Sequence, residues 1–453
     1  MALMDDPVLR YRGVIEGFYG PMWSHADRLH LLRHMSDWRM NLYIYSPRHD
    51  PYHRFHWDKA YPPAVMAQMA EVARTAADNG VQFAYAISPG NTFDARNPAH
   101  HRTLIEKLRP FVDLGSTFFP IFYDDLVEGF EPDSDAGEQH ARMQAGVMNA
   151  LADSISALCA DARFLFCPTQ YMTADKSRYL CTLHEQLDAR IETAVTGVDA
   201  ATDPICPRTF SDAGAQRYLN NFGRRPFLWD NFNVRDNALN VLHWSPYAGR
   251  GRNLDRICSG IVLNPQNVYL LNLPIFGCMG DYFADPRRYD PAASFQRHVT
   301  KLMGEQGAPL GMTLSQWFTS EWFAREGDGV LSSEANLPAI DEPLHDVAAR
   351  DGLLTSVRER LAPLCDLGDR FVRTLMDPQV AATLVPYAEI LTEYARAMVA
   401  FCDAVRGREA IPADAIDDLL DRTDRPHTQR FALPVSLTKY PQRLIAAMAG
   451  GDG

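Results

Sequence analysis

Between about residues 11 and 300 the chain switches eight times from a short apolar run to a longer stretch of helical spacing. The runs read "YRGVIEGFYG", "MNLYIYSP", "VQFAYAISPG", "FFPIFYDDL", "RFLFCPTQY", "IETAVTG", "PFLWDNF" and "SGIVLNPQ". Between them, stretches such as Ala64 to Asn79 and Gly137 to Ala160 repeat apolar residues at the spacing of one helix face. Eight strand–helix units in about 290 residues suit an α/β chain closed into a (β/α)8 TIM-type barrel better than an open sheet. A doubly wound sheet stays open as an alternative, but no GxGxxG loop follows the first run.

After about residue 310 the strand pattern stops. Residues 341–376, 377–407 and 411–421 read as amphipathic helices, separated by "MDPQ" and "REAIPAD". The expected division is a catalytic barrel over 1–305 and a C-terminal α-helical domain over 306–453. In "QWFTSEWFAREG", Trp317, Phe318, Trp322 and Phe323 stand at helical spacing, which favours core packing over a substrate-facing wall.

With 44 basic against 57 acidic residues, the chain has a formal charge of −13 and no basic block, which argues against nucleic-acid binding. Its eight cysteines form no CxxC pair and are expected to be buried free thiols in a reducing compartment. No window has the apolar length of a membrane span, and "MALMDDPVLRYRGV" shows no secretory signal. A soluble cytoplasmic protein is the expectation.

Most of the apolar runs end in polar or special residues: Glu16 and Tyr19, Arg48, Asn91, Asp124 and Asp125, Tyr171, Asn231, Asn264. Barrel enzymes carry their chemistry at the carboxyl ends of the strands. The most telling end is "YDDL", where two adjacent carboxylates close a strand with no lysine or arginine beside them. Two carboxylates this close cannot both ionise cheaply, so one site can supply a proton donor and a fixed anion. Ordinary glycosidases set their carboxyl pair on opposite sides of the sugar, whereas neighbours on one strand reach the substrate from the same side. That geometry suits substrate-assisted cleavage, in which the sugar's own 2-acetamido oxygen attacks the anomeric carbon. A helix cap, a solvated loop or a magnesium–phosphate site would also accommodate a bare Asp-Asp pair.

The surrounding motifs narrow these options. "RGVIEGFYGPMW", "NLYIYSPRHDPYHR", "AYAISPG", "FYDDL", "CPTQY", "LWDNFNVRD" and "IVLNPQ" resemble, in this order, the family 84 glycoside hydrolases over residues 11 to about 270. These are protein O-GlcNAcases and related β-N-acetylglucosaminidases. The resemblance implies that Asp124 binds and polarises the acetamido group and that Asp125 is the general acid/base. It implies sugar contacts from the Gly17 carbonyl, Asn231, Asp236 and Asn264, an acetamido pocket lined by Tyr171, and a wall formed by Trp229. The implied reaction is retaining removal of β-linked GlcNAc, from Ser/Thr of proteins or from related glycosides, through an oxazoline and with no cofactor or metal.

Two departures from the family pattern stand out. Arg48 replaces the usual lysine, keeping the charge on a longer, forked group. Val195 replaces an aromatic and suggests a looser wall near the acetamido methyl. His30 and His34 lie one helical turn apart but lack the companions of a zinc site, as do His49, His53 and His56. The implied partner is a β-GlcNAc-bearing glycoprotein, peptide or glycoside, with no nucleic acid and no membrane; a homodimer is left open. A non-catalytic GlcNAc reader and a glycan-trimming hexosaminidase or hyaluronidase are the competing functions.

Overall fold

A computed structural model describes the chain except residues 1–8, 126–129, 200–205, 208, 237–240, 319–335, 341–343, 345, 409, 424–431 and 450–453, and the side chains of 91, 435 and 449. All eight strands read from the sequence are present: β1 (Tyr11–Glu16), β2 (Leu42–Tyr45), β3 (Gln82–Tyr85), β4 (Phe118–Phe122), β5 (Arg163–Cys167), β6 (Ile191–Val195), β7 (Pro226–Asp230) and β8 (Gly260–Leu263). The helices that follow them are α1 (His25–His34), α2 (Pro63–Asp78), α3 (Pro98–Asp113), α4 (Asp135–Ser156), α5 (Arg178–Gln186), α6 (Asp212–Phe222), α7 (Leu254–Ile257) and α8 (Tyr269–Ala284).

The strands pair in parallel in the order β3-β2-β1-β8-β7-β6-β5-β4. The two ends meet just beyond β3, where Phe122 N–H donates to the Ile87 carbonyl at 2.9 Å and Ile87 N–H to the Pro120 carbonyl at 3.1 Å. Pro120, which has no N–H to give, sits at this thinly bonded seam, where a strand tolerates proline best. Parallel strands covered by helices are apolar on both sides, and β4 is buried at every position. Serine caps start several helices at the carboxyl end of the barrel: Ser24, Ser134, Ser177 and Ser211 each accept a first-turn backbone N–H. These caps set where each loop from strand to helix stops.

Alternate strand residues face the barrel axis. The buried interior includes Ile15, Ile44, Ala86, Phe122, Leu165, Cys167, Ala194, Trp229 and Val262. Gly260 admits the Phe227 ring into this interior, for a Cβ there would stand 2.2 Å from it. Counting two residues past Ile15, Phe122, Ala194, Trp229 and Val262 reaches Gly17, Asp124, Thr196, Asn231 and Asn264. The polar strand ends therefore continue the inward row of the core.

The described chain divides into two compact units: Met1–Asp236 with Tyr247–Asn272 and Phe276–Asp290, and Asn237–Pro246 with Leu273–Ile275 and Pro291–Gly453. The second is helical, comprising α9 (Pro291–Trp317), α10 (Val347–Leu361), α11 (Leu367–Thr374), α12 (Pro378–Val405), α13 (Ala413–Thr423) and α14 (Val435–Ala449). The 28-residue α12 is its spine, burying Leu384, Leu391, Met398 and Phe401. Trp317 and Phe318 are buried core residues, as their spacing suggests, while Trp322 and Phe323 lie outside the described residues. No described helix is long and apolar enough to cross a membrane. The cysteines depart from expectation in part: Cys167, Cys206, Cys258, Cys278 and Cys402 are buried, but Cys181 is exposed and Cys159 and Cys365 are half-buried.

Candidate active site

The inward strand ends open into a pocket of about 360 Å³. It is lined by Gly17, Tyr19, Arg48, Asp124, Asp125, Cys167, Tyr171, Thr196, Trp229, Asn231, Asp236 and Asn264. Every residue singled out from the sequence as a site residue is among them, although they come from six different strand ends.

Asp124 and Arg48 form its buried floor, 3% and 5% exposed. The Arg48 guanidinium donates through Nη2 to Asp124 Oδ2 and through Nε to the Gly17 carbonyl at 3.2 Å. Burial works against the Arg48 charge, but the Asp124 carboxylate outweighs it, and the guanidinium pKa is raised. Two atoms of the pair remain without a hydrogen bond among the described residues: Arg48 Nη1, a donor, and Asp124 Oδ1, an acceptor. Buried polar atoms of this kind are costly unless a ligand completes them.

Asp125 differs from its neighbour in each respect. It is exposed, and its backbone lies in the left-handed region with φ of 55°. A regular strand would send it to the face opposite Asp124. The left-handed turn, which aspartate tolerates better than most residues, breaks that alternation and brings both carboxylates to one pocket. Tyr171 Oη donates to Asp125 Oδ1 at 2.8 Å, and Tyr19 Oη stands 3.4 Å from Oδ2. Burial, followed by the charges of Asp124 and Asp125, raises the Tyr171 pKa and keeps this phenol a donor.

The opposite wall is a chain of amides. Asn264 donates through Nδ2 to Asn231 Oδ1 at 2.9 Å and accepts the Gly17 N–H at 3.2 Å. Gly17 has to be glycine here, because a Cβ would lie 2.8 Å from the Trp229 ring. At the rim, Asp236 accepts the Tyr19 backbone N–H at 2.8 Å. Burial raises the Asp236 pKa to about 6 despite that bond. Since the folded value exceeds the unfolded one, the folded chain binds this proton more tightly, and stability drops as pH rises from about 4 to 6. Asp236→Asn is therefore expected to raise the melting temperature more at pH 8 than at pH 4, read by paired thermal melts.

Strand parity also explains the polar ends that stay out of the pocket. Glu16 is fully buried but faces outward, where it takes two bonds from Arg28 at 2.8 and 2.7 Å. Asp230 likewise pairs with Arg250 and the Tyr247 hydroxyl. The Asn91 side chain lies outside the description. His53 is held between Ser46 and the Ala86 carbonyl, and His30 contacts the Tyr269 hydroxyl at 2.6 Å.

A family model described as beta-N-acetylglucosaminidase matches residues 12–314. The chain belongs to this family. The family 84 resemblance carried by the motifs is thus borne out, and with it the expectation of a glycoside hydrolase fold and class. Protein O-GlcNAcases of Rattus norvegicus and Mus musculus are each 30% identical over 261 residues, which is 56% of this chain and 28% of theirs. The chain thus spans little more than a quarter of the length of these curated relatives. An Asp-to-Asn mutant of the Thermobaculum terrenum O-GlcNAc hydrolase superposes with a TM-score of 0.81 at 23% identity, covering 97% of this chain and 95% of that one. At that identity the likeness speaks for the fold.

Among the lining residues, Cys167 and Thr196 escaped the sequence reading altogether, and Tyr19 was noted only as a polar strand end. Cys167 and Thr196 carry no motif of their own, and only the inward count from Leu165 and Ala194 would have found them. Burial holds the Cys167 thiol well above its usual pKa, so it lines the pocket as a neutral, nearly apolar group. The looser wall expected from Val195 is corrected: Val195 is buried but is not a lining residue, because Thr196 holds the inward position.

Proposed function

We propose that the pocket holds a terminal β-linked N-acetylglucosamine and cleaves its glycosidic bond with retention, through an oxazoline formed by the sugar's acetamido group. The observation that carries this reading is the division between the two aspartates. Asp124 is buried, fixed by a guanidinium, and has one oxygen left over for an amide N–H. Asp125 is exposed and hydrogen-bonded by a phenol at the mouth, where a leaving oxygen and then a water can reach it. In this reading Asp124 orients the acetamido group and balances the positive charge of the forming oxazoline. Asp125 protonates the leaving group and afterwards takes a proton from water. Asp236, Asn264 and the backbone around Gly17 hold the sugar hydroxyls, while Tyr171, Thr196 and Cys167 surround the acetamido group. The names of the Rattus and Mus relatives favour GlcNAc on protein serine or threonine as the substrate.

The test is hydrolysis of a chromogenic β-N-acetylglucosaminide followed by proton NMR, with the β-anomer expected as the first product; an α-anomer would end the proposal. Release from a GlcNAc-modified peptide, measured beside release from a chito-oligosaccharide, reads the substrate class. Substrates carrying N-fluoroacetyl, N-difluoroacetyl and N-trifluoroacetyl groups are expected to react more slowly with each added fluorine, because fluorine withdraws electrons from the attacking oxygen. An unchanged rate across the series would argue against acetamido participation.

A further inference from the structure

The strained turn that brings Asp125 to the pocket is held by a residue outside the pocket lining. Arg54 follows β2 in the same loop as Arg48 and is half-buried. Its Nη2 stands 3.4 Å from the carbonyl oxygens of both Asp124 and Asp125. Its Nη1 donates to Tyr19 Oη at 3.1 Å. One planar guanidinium thus spans the backbone of both aspartates and the phenol beside the second of them.

This arrangement has a directional consequence. Tyr19 is anchored through its backbone N–H on Asp236, and its hydroxyl oxygen accepts from Arg54. The Tyr19 proton is then left to point at Asp125 Oδ2, 3.4 Å away, while Tyr171 holds Oδ1. At the same time, the carbonyls of a left-handed turn in a non-glycine residue sit in a conformation that needs outside support. Arg54 supplies that support with a charged donor.

We propose that Arg54 is a positioning residue for Asp125, fixing the left-handed turn and aiming the Tyr19 hydroxyl so that the Asp125 carboxyl faces the glycosidic oxygen. This inference rests on the reading of Asp125 as the general acid/base. It assigns Arg54 no contact with the sugar. Loss of Arg54 therefore acts on proton transfer to the leaving group and leaves the sugar subsite intact. Lysine is a poor substitute, since a point charge cannot reach the phenol and both carbonyls together.

The experiment compares wild type, Arg54→Ala, Arg54→Lys and Asp125→Asn on aryl β-N-acetylglucosaminides whose leaving groups range from activated to unactivated. Inhibition by a GlcNAc-like, pocket-filling inhibitor and melting temperature are read in parallel. For Arg54→Ala, kcat/KM is expected to fall about tenfold or more on the least activated substrate and about twofold on the most activated. Inhibitor affinity should be unchanged, and Arg54→Lys should lie between alanine and wild type with the same trend. A loss equal across the series, weakened inhibitor binding, or no loss would overturn the role of Arg54 while Asp125→Asn still showed its leaving-group dependence. If Asp125→Asn itself showed none, the acid/base reading would fall and the Arg54 proposal with it.

Discussion

Asp124→Asn is expected to lower kcat/KM by roughly 10²–10⁴-fold on every substrate, however good its leaving group. The side chain keeps its size, but the anion that the proposed mechanism places beneath the forming oxazoline is gone, and an activated leaving group does nothing to replace it. The same substitution leaves the Arg48 guanidinium buried without its counter-charge. Breaking a buried pair by neutralising one partner costs on the order of 3–5 kcal/mol, so the melting temperature should fall as well. The two effects can be separated. Combining Asp124→Asn with Arg48→Met removes both charges, which should return much of the lost stability without returning activity. Chemistry and folding are then read from kcat/KM and thermal melts on the same two proteins. Recovery of activity in the double variant would mean that Asp124 matters only for holding Arg48.

Asp125→Asn is expected to behave differently, and the contrast is the sharper test of the assigned roles. An amide cannot protonate a leaving oxygen, so loss of general acid catalysis should cost roughly 10²–10⁴-fold on substrates with poor leaving groups. With a strongly activated leaving group, departure needs little protonation, and the first step should be nearly spared. Deglycosylation, for which the proposed mechanism uses Asp125 as a base, then becomes limiting. Its removal should be visible as an initial burst of released chromophore, measured by stopped-flow absorbance. Because Asp125 is exposed and makes no ion pair among the described residues, little change in melting temperature is expected. Equal losses for both variants across the leaving-group series would contradict the division of labour.

Much of the fold was legible in the sequence. The eight strands came from apolar runs of strand length, and the helices between them from their periodicity, because both signals are local and repeat along the chain. Among the site residues, the Asp124–Asp125 pair was legible for a different reason. Two adjacent carboxylates at the end of a buried strand conflict with the rule that governs the rest of that strand. Less could be read for Thr196 and Cys167, whose side chains carry no unusual chemistry and matter here only for which way they face. Val195 shows the same limit in reverse: its identity drew notice, while its direction removed it from the lining. Glu16 was read as a polar strand end, and one step of strand parity turned it into a buried ion pair with the layer outside, as it did for Asp230.

The sequence by itself determined the barrel, the family and most of the residues around the candidate site, because strand and helix periodicity and the motif order are all written along the chain. Only the tertiary structure decided that Arg48 neutralises Asp124, that Arg54 grips the turn beneath Asp125, and that Asp125 faces the pocket at all. Those outcomes depend on a left-handed backbone angle and on side chains converging from strands far apart in sequence. A linear pattern carries neither, since direction in space is set by parity and packing after the barrel has closed.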